Sequence, residues 1–342
     1  MGLPRGVFCR IKISPDDKNI LENTMIGRDS DLIAEEIKLV ERELMGIIEQ
    51  CNEPFGSMLK NMFSGGKRLR PKLVLLSGLC FSSANSEMIY SAVAAELIHT
   101  ASLIHDDIID ESYFRRNQPT INYIHGNHIA VLAGDFAFAK AFEILSVHNL
   151  HRCNHYFVSA IQEMCQGEVM QAVGDPLLEE NHYFEIIEKK TASLMWACCK
   201  AGAVCGKAGE EYVEKMGLYG RYLGCAFQIV DDLLDVIGDK VEVGKPVGHD
   251  LEEGKITLPY IYFFRESPLS SKYRPILKDK HLLSKVKSQI IADLKRSEAI
   301  SKTYAKAEEF SQKARDALKE LPESVYKKFL IELSFEVVNR KK

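Results

Sequence analysis

The chain has 342 residues, 46% hydrophobic and 27% charged, enough apolar material to bury one large core or two modest ones. A formal net charge of -4 excludes the broad basic surface that drives nucleic-acid binding, so any recognition of phosphate must be local. Nine cysteines without CxxC or Cys/His spacing speak against a structural zinc and fit a reducing, cytoplasmic setting with unpaired thiols.

Residues 1–30 mix Arg5, Arg10 and Lys12 with Asp16 and Asp17 and hold no long apolar run, a poor match to a signal or transit peptide. They are expected to form a flexible extension to a single domain spanning 31–342. From there apolar residues recur at helical spacing, and segments such as 32–48 and 212–237 run too long for strands. Breaks are expected at 52–54, 64–66, 82–85, 117–119, 174–176 and 238–248 and at Pro322. About ten to thirteen helices result. Convincing period-2 alternation is absent, so the fold is expected to be all-α, a single large helical bundle. Segments 87–110 and 212–237 are apolar over much of their circumference, as in central helices that line a cavity. The charged stretch 282–321 reads as two outer helices. No apolar run reaches the roughly 18 residues that span a bilayer, so no transmembrane helix is expected.

The acidic sequence DDxxD occurs twice, as Asp106, Asp107 and Asp110 and as Asp231, Asp232 and Asp235. On a helix, positions i and i+4 share a face and i+1 lies about 100° round, so each copy presents two converging carboxylates with a third beside them. Carboxylates in a nonpolar setting resist ionisation unless a hard, oxygen-preferring cation neutralises them. Magnesium fits, because it keeps several waters and is shared between a few carboxylates and substrate phosphates. One such triplet is equally well a solvated helix end; two copies, each closing an apolar helix, point to a metal site.

Gly65-Gly66-Lys67-Arg68-Leu69-Arg70-Pro71 sets three cations after a glycine pair at a helix start, where side chains and helix terminus both favour an anion. The spacing is not that of a Walker A loop. Arg115 and Arg116 follow the first acidic motif, and Lys190, Lys245 and Lys255 lie further on. Arginine suits bidentate phosphate contact.

Taken together, GGKRLRP, ELIHTASLIHDDIID with Arg115 and Arg116 after it, Lys190-Thr191, FQIVDDLLD and GKPVGHDLEEGKITLP resemble the trans-isoprenyl diphosphate synthases, the polyprenyl synthetase family, from about residue 31 to the C-terminus. The resemblance implies an isoprenoid synthase-like bundle around a substrate cavity and a Mg-dependent prenyltransferase holding three Mg2+ when substrate is bound. It implies that Asp106, Asp107 and Asp110, with Asp231 and Asp235 and their neighbour Asp232, hold metal and grip an allylic diphosphate, helped by Arg115, Lys190, Lys245 and Lys255. Lys67, Arg70, His99 and Arg116 would hold isopentenyl diphosphate, Thr191, Phe227 and Gln228 would flank a carbocation, and His105 would orient the metal-binding helix. The remaining histidines and the cysteines are expected to be structural.

Chain length is read from the positions before Asp106. Short-chain relatives commonly carry a large aromatic where this chain has Ala101; Ile98, Ser102 and Ala94 add no bulky plug, and DDIID lacks a two-residue insertion. A product of C30 or longer, of the kind that becomes a quinone side chain, is expected, with farnesyl diphosphate as primer. Within the family the likeness is greatest to catalytic subunits of bacterial heptaprenyl diphosphate synthases, which implies a homodimer or a heterodimer with a small noncatalytic subunit, and transient membrane contact for product release. Three alternatives compete: a geranylgeranyl synthase, a terpene cyclase, which needs no isopentenyl pocket, and a noncatalytic partner subunit, which needs no two metal motifs.

Overall fold

The computed structural model describes residues 32–63, 66–116, 118–173, 179–238, 247–277 and 279–340. The extension 1–30 lies outside them, as do Lys245 and most of the breaks at 174–176 and 238–248. Among the described residues the fold is all-α, with one two-residue ladder pairing Phe114–Arg115 antiparallel with Gln118–Pro119. That hairpin was not expected, because two residues per strand are too few to show an alternating pattern.

In chain order the helices are α1 (Ala34–Glu49), α2 (Phe55–Phe63), α3 (Leu69–Leu79), α4 (Ser86–Ile109), α5 (Ile121–His125), α6 (Asn127–Val147), α7 (His151–Val173) and α8 (Glu180–Ile187). There follow α9 (Ser193–Cys205), α10 (Glu210–Ile237), α11 (His249–Glu252), α12 (Leu258–Glu266), α13 (Lys280–Leu294), α14 (Ala299–Ala317) and α15 (Val325–Asn339). A π-helical turn, Glu188–Ala192, joins α8 to α9. The two outer helices read into 282–321 are α13 and α14. The count exceeds the expectation because single turns such as α5 and α11 carry no periodic signal of their own.

Helix starts follow local chemistry: the Asn85 side chain accepts from the Met88 N–H, Asp279 from Leu282 and Ser324 from Lys327. The centre is α9, buried along almost its whole length and rich in Ala, Gly and Cys. Small residues let neighbours approach closely: a Cβ at Gly202 would collide with the Val74 carbonyl oxygen, so α3 and α9 cross almost backbone to backbone. Around α9 stand α3, α4, α7 and α10. Helix α10 is covered in turn by α14 and α15, the latter tied down by the buried Tyr219 hydroxyl, which donates to the Leu330 carbonyl at 2.7 Å. Both helices expected to be central, α4 and α10, therefore sit where their C-terminal carboxylates can meet across one space.

Candidate active site

That space is a cavity of about 1130 Å³, bordered by α3, α4, α6, α7, α9, α10 and α15. Asp106 from the last turn of α4 and Asp231 from α10 both border it, as do Lys67, Arg70, His99, Arg115, Arg116, Lys190, Thr191 and Gln228. Two of the three carboxylates in each motif do not. Asp107 is buried and takes the guanidinium of Arg115, with Nη2 to Oδ1 at 2.8 Å. Asp110, the C-cap of α4, takes Lys255 Nζ at 2.8 Å. Asp232 is buried and accepts from the Tyr183 hydroxyl at 2.6 Å and from Gln228 Nε2 at 2.8 Å. Asp235 accepts the His249 backbone N–H at 3.0 Å, while its Oδ2 is buried without a partner.

Two further ion pairs complete the lining. Lys190 Nζ meets Glu168 at 2.5 Å and Gln171 at 2.9 Å, both on α7. Arg340, just past α15, donates to Asp231 Oδ1 and to the Phe227 carbonyl, both at 2.6 Å, and lies 3.8 Å above the Phe227 ring. Thr191 Oγ1 donates to Gln228 Oε1 at 2.8 Å, so Thr191, Gln228, Asp232 and Tyr183 form one hydrogen-bonded relay.

Burial dominates the electrostatics. It pushes Asp106 up to about 6, against the pull of Lys190, and raises Asp231 despite Arg340. It also raises Asp232 and Asp235 and drives His99 well below its ordinary value, with Arg70 adding to the effect. A neutral His99 accepts from Arg70 Nη1 through Nε2 at 3.1 Å. A carboxyl whose folded pKa is raised destabilises the fold once ionised, so this penalty is absent below about pH 4 and complete above about pH 6. In the presence of a chelator, Asp106→Asn should therefore match the parent in stability near pH 4 and exceed it near pH 7.5, by up to about 3 kcal/mol. Denaturant melts at the two pH values check this, and a pH-independent difference would remove Asp106 from the buried-carboxylate account.

These residues fit divalent magnesium. Among the described residues no three His, Cys, Asp or Glu side chains converge closely enough to encage an ion. Asp106 and Asp231 instead face one cavity from opposite walls with cations around them, the donor pattern of an ion that takes one or two carboxylates and completes its shell with water and phosphate oxygens.

Of the three positions expected to set product length, Ser102 borders the cavity, whereas Ala101 and Ile98 are fully buried and do not. Phe138, Ile161, Met164, Leu194, Leu333 and Val337 give the cavity its apolar wall. Sequence reasoning missed Glu168, Gln171, Tyr183 and Arg340. A polar pair at i and i+3 in Gly167-Glu-Val-Met-Gln was a usable signal for the first two. His105 borders the cavity, with its Nε2 3.2 Å from the Val131 carbonyl and its ring against Gly134 of α6.

A family model described as polyprenyl synthetase matches residues 52–294. The chain is 32% identical over 311 residues to heptaprenyl diphosphate synthase component 2 of Geobacillus stearothermophilus, covering 90% of this chain and 97% of that protein. Its fold matches the crystal structure of heptaprenyl diphosphate synthase from Staphylococcus aureus with a TM-score of 0.84 and 31% identity, over 91% of this chain and 99% of that one. It matches that of geranylgeranyl pyrophosphate synthetase from Pyrococcus horikoshii with a TM-score of 0.80 and 34% identity, over 90% and 97% of the two chains.

Proposed function

The chain belongs to the polyprenyl synthetase family, and on that premise we propose that it extends farnesyl diphosphate with isopentenyl diphosphate to a linear product of C30 or longer. It is a prenyltransferase that joins isopentenyl and allylic diphosphates. The observation that carries the assignment is one cavity bordered by Asp106 and Asp231, the first carboxylates of the two acidic motifs, and by the cations Lys67, Arg70, Arg115, Arg116 and Lys190. The cations fall into two groups, each suited to one diphosphate. Lys67, Arg70, His99 and Arg116 cluster at the start of α3 and hold isopentenyl diphosphate. Lys190, Arg115 and Lys255, with Lys245, attend the metal-bound allylic diphosphate.

Bound Mg2+, three ions with substrate in place, would be held by Asp106 and Asp231, which border the cavity, together with Asp110 and Asp235 one turn on in the same motifs, and would supply charge stabilisation to the departing diphosphate. Lys190 and Arg115 add cationic charge where the allylic C–O bond ionises. Beside the carbocation, Phe227 presents its ring, and Thr191 and Gln228 are locked to each other, so the Thr191 hydroxyl is kept from competing with the isopentenyl double bond as nucleophile. The last proton leaves to the released diphosphate.

Support for a long product comes from Ala101 and Ser102 before the first motif, and from relatives named as heptaprenyl synthases. The geranylgeranyl enzyme among the similar structures sets the competing outcome. Chromatography of the product made from farnesyl and isopentenyl diphosphates decides: C30 or longer is expected, and C20 alone would overturn the reading. Cyclised material from the allylic substrate alone would indicate a terpene cyclase. We also assign the exposed Tyr123, Ile124 and Leu132 on α5 and α6 to a subunit interface, with a second copy or a small dissimilar subunit, as the word "component" in the relative's name suggests. Light scattering of the pure chain distinguishes the two. Among the described residues no helix is long and apolar enough to cross a membrane.

The division of cations has its own test. Lys67→Ala and Arg70→Ala should raise KM for isopentenyl diphosphate about 10- to 100-fold, the worth of one hydrogen bond to a charged group, with little change in allylic KM. Lys190→Ala and Lys245→Ala should show the reverse. Equal losses for both substrates in every variant would mean that the cations serve one shared site.

A further inference from the structure

Arg68 stands in the middle of the basic loop, yet its guanidinium is already engaged within the protein. Nη1 donates to Glu96 Oε1 at 2.9 Å, Nη2 to the Phe63 carbonyl that ends α2 at 2.6 Å, and Nε lies 3.4 Å from Glu41 Oε1. The Arg68 and Glu96 side chains are only 12% and 8% exposed. The backbone of Arg68 is left-handed, φ 52° and ψ 37°, and α3 starts at the next residue with no side-chain cap. A non-glycine residue persists in that region only where its surroundings over-determine it. The surroundings here are one face of α4: Glu96 grips Arg68, and His99, one turn on, meets Arg70. On the other side of the loop the Arg116 guanidinium lies so close to Gly66, itself at φ +105°, that a Cβ there would come within 2.9 Å of it.

We propose that Arg68 and Glu96 are positioning residues for the isopentenyl subsite. Their buried ion pair holds the left-handed turn that aims Lys67 and Arg70 into the cavity, and Arg68 itself is not a diphosphate ligand. The proposal rests on the assignment of Lys67 and Arg70 to isopentenyl diphosphate made above. A third cation that merely added to the field would act on both diphosphates; an anchor acts on the one whose ligands it aims. Displacement of binding groups by about 1 Å is enough to lose two orders of magnitude in rate.

Three variants of the full chain separate the possibilities, with KM for each diphosphate, kcat and Tm measured for all. Lys67→Ala is the reference for the subsite. Arg68→Gly relieves the left-handed backbone while removing the anchor. Arg68→Met combined with Glu96→Gln removes the pair with no change of net charge and without stranding a buried carboxylate. The expected result is a rise of about tenfold or more in isopentenyl KM in both Arg68 variants, with allylic KM and kcat within about twofold of the parent. Parent-like isopentenyl KM in Arg68→Gly would show that the backbone conformation alone suffices and overturn the anchor. Parallel rises in both KM values in the charge-neutral double variant would reduce the pair to general fold support. Should that variant not fold, Arg68→Gly decides alone. If Lys67→Ala leaves isopentenyl KM unchanged, the subsite assignment itself fails, whatever the Arg68 variants do.

Discussion

Replacing Asp106 or Asp231 with alanine should lower turnover by about three orders of magnitude or more while the helical fold stays intact. Both carboxylates border the cavity, and burial already resists their ionisation, so the metal-free protein loses no favourable contact when Asp106 goes. Removing Asp231 frees Arg340, which still has the Phe227 carbonyl and ring. What is lost in each case is a ligand required when negative charge builds on the departing diphosphate. The contrast is Asp232→Ala, which leaves the Tyr183 hydroxyl and the Gln228 amide buried without their acceptor. That variant should lose stability by about 1 to 3 kcal/mol as well as activity. Steady-state rates at saturating Mg2+, beside circular dichroism and thermal melts, separate the classes. Near-normal turnover in Asp106→Ala or Asp231→Ala would refute the metal assignment.

Ala101→Tyr should cut the product to C20 while sparing the first condensation. Ala101 lies five residues before Asp106, about 7.5 Å along α4, and with Ile98 is completely buried. His105, one turn further on, packs on Gly134 of α6, which places this face of α4 against α6. The buried face of α6 carries Ala130, Ala133, Gly134, Ala137 and Ala141, so the seam between the two helices holds little side-chain bulk for a descending tail to displace. A tyrosine ring would fill that seam below the carboxylates and leave the chemistry above it untouched. Overpacking can also weaken the fold by about 1 to 3 kcal/mol, so the melt must accompany the product analysis. A well-folded Ala101→Tyr enzyme that still makes the parental chain length would show that the tail takes another route, such as the wall formed by Met164, Leu194 and Val337.

Much of this architecture was legible in the sequence, for reasons that can be named. α4 and α10 are long and apolar over most of their circumference, so periodicity revealed both their helical state and their central place. The repeated DDxxD at their ends then located the cavity. What stayed hidden depends on contacts remote in sequence. Lys255, singled out in the sequence, meets Asp110 across 145 residues, and Arg340, which was not, meets Asp231 across 109; no local pattern marks either pairing. Nor does local sequence mark a left-handed arginine, since Arg68 has no propensity for that conformation and is held there by Glu96. The division of each aspartate triplet followed the same rule: spacing put three carboxylates on one helix end, but Arg115 and Tyr183 decided which of them face inward.

The carboxylates that occupy Lys190 and Lys255 bear on how the enzyme lets go. If Lys190 and Lys255 hold diphosphate as proposed, a diphosphate arriving at Lys190 would have to displace Glu168, and one arriving at Lys255 would have to displace Asp110 and Glu253. These displaced anions are tethered, so they wait at high local concentration to reclaim their lysines once the reaction is over. The site thus contains its own competitors for the leaving group. On that proposal, affinity for the spent inorganic diphosphate would be lowered, its residence time shortened, and the cavity cleared for the next five-carbon unit.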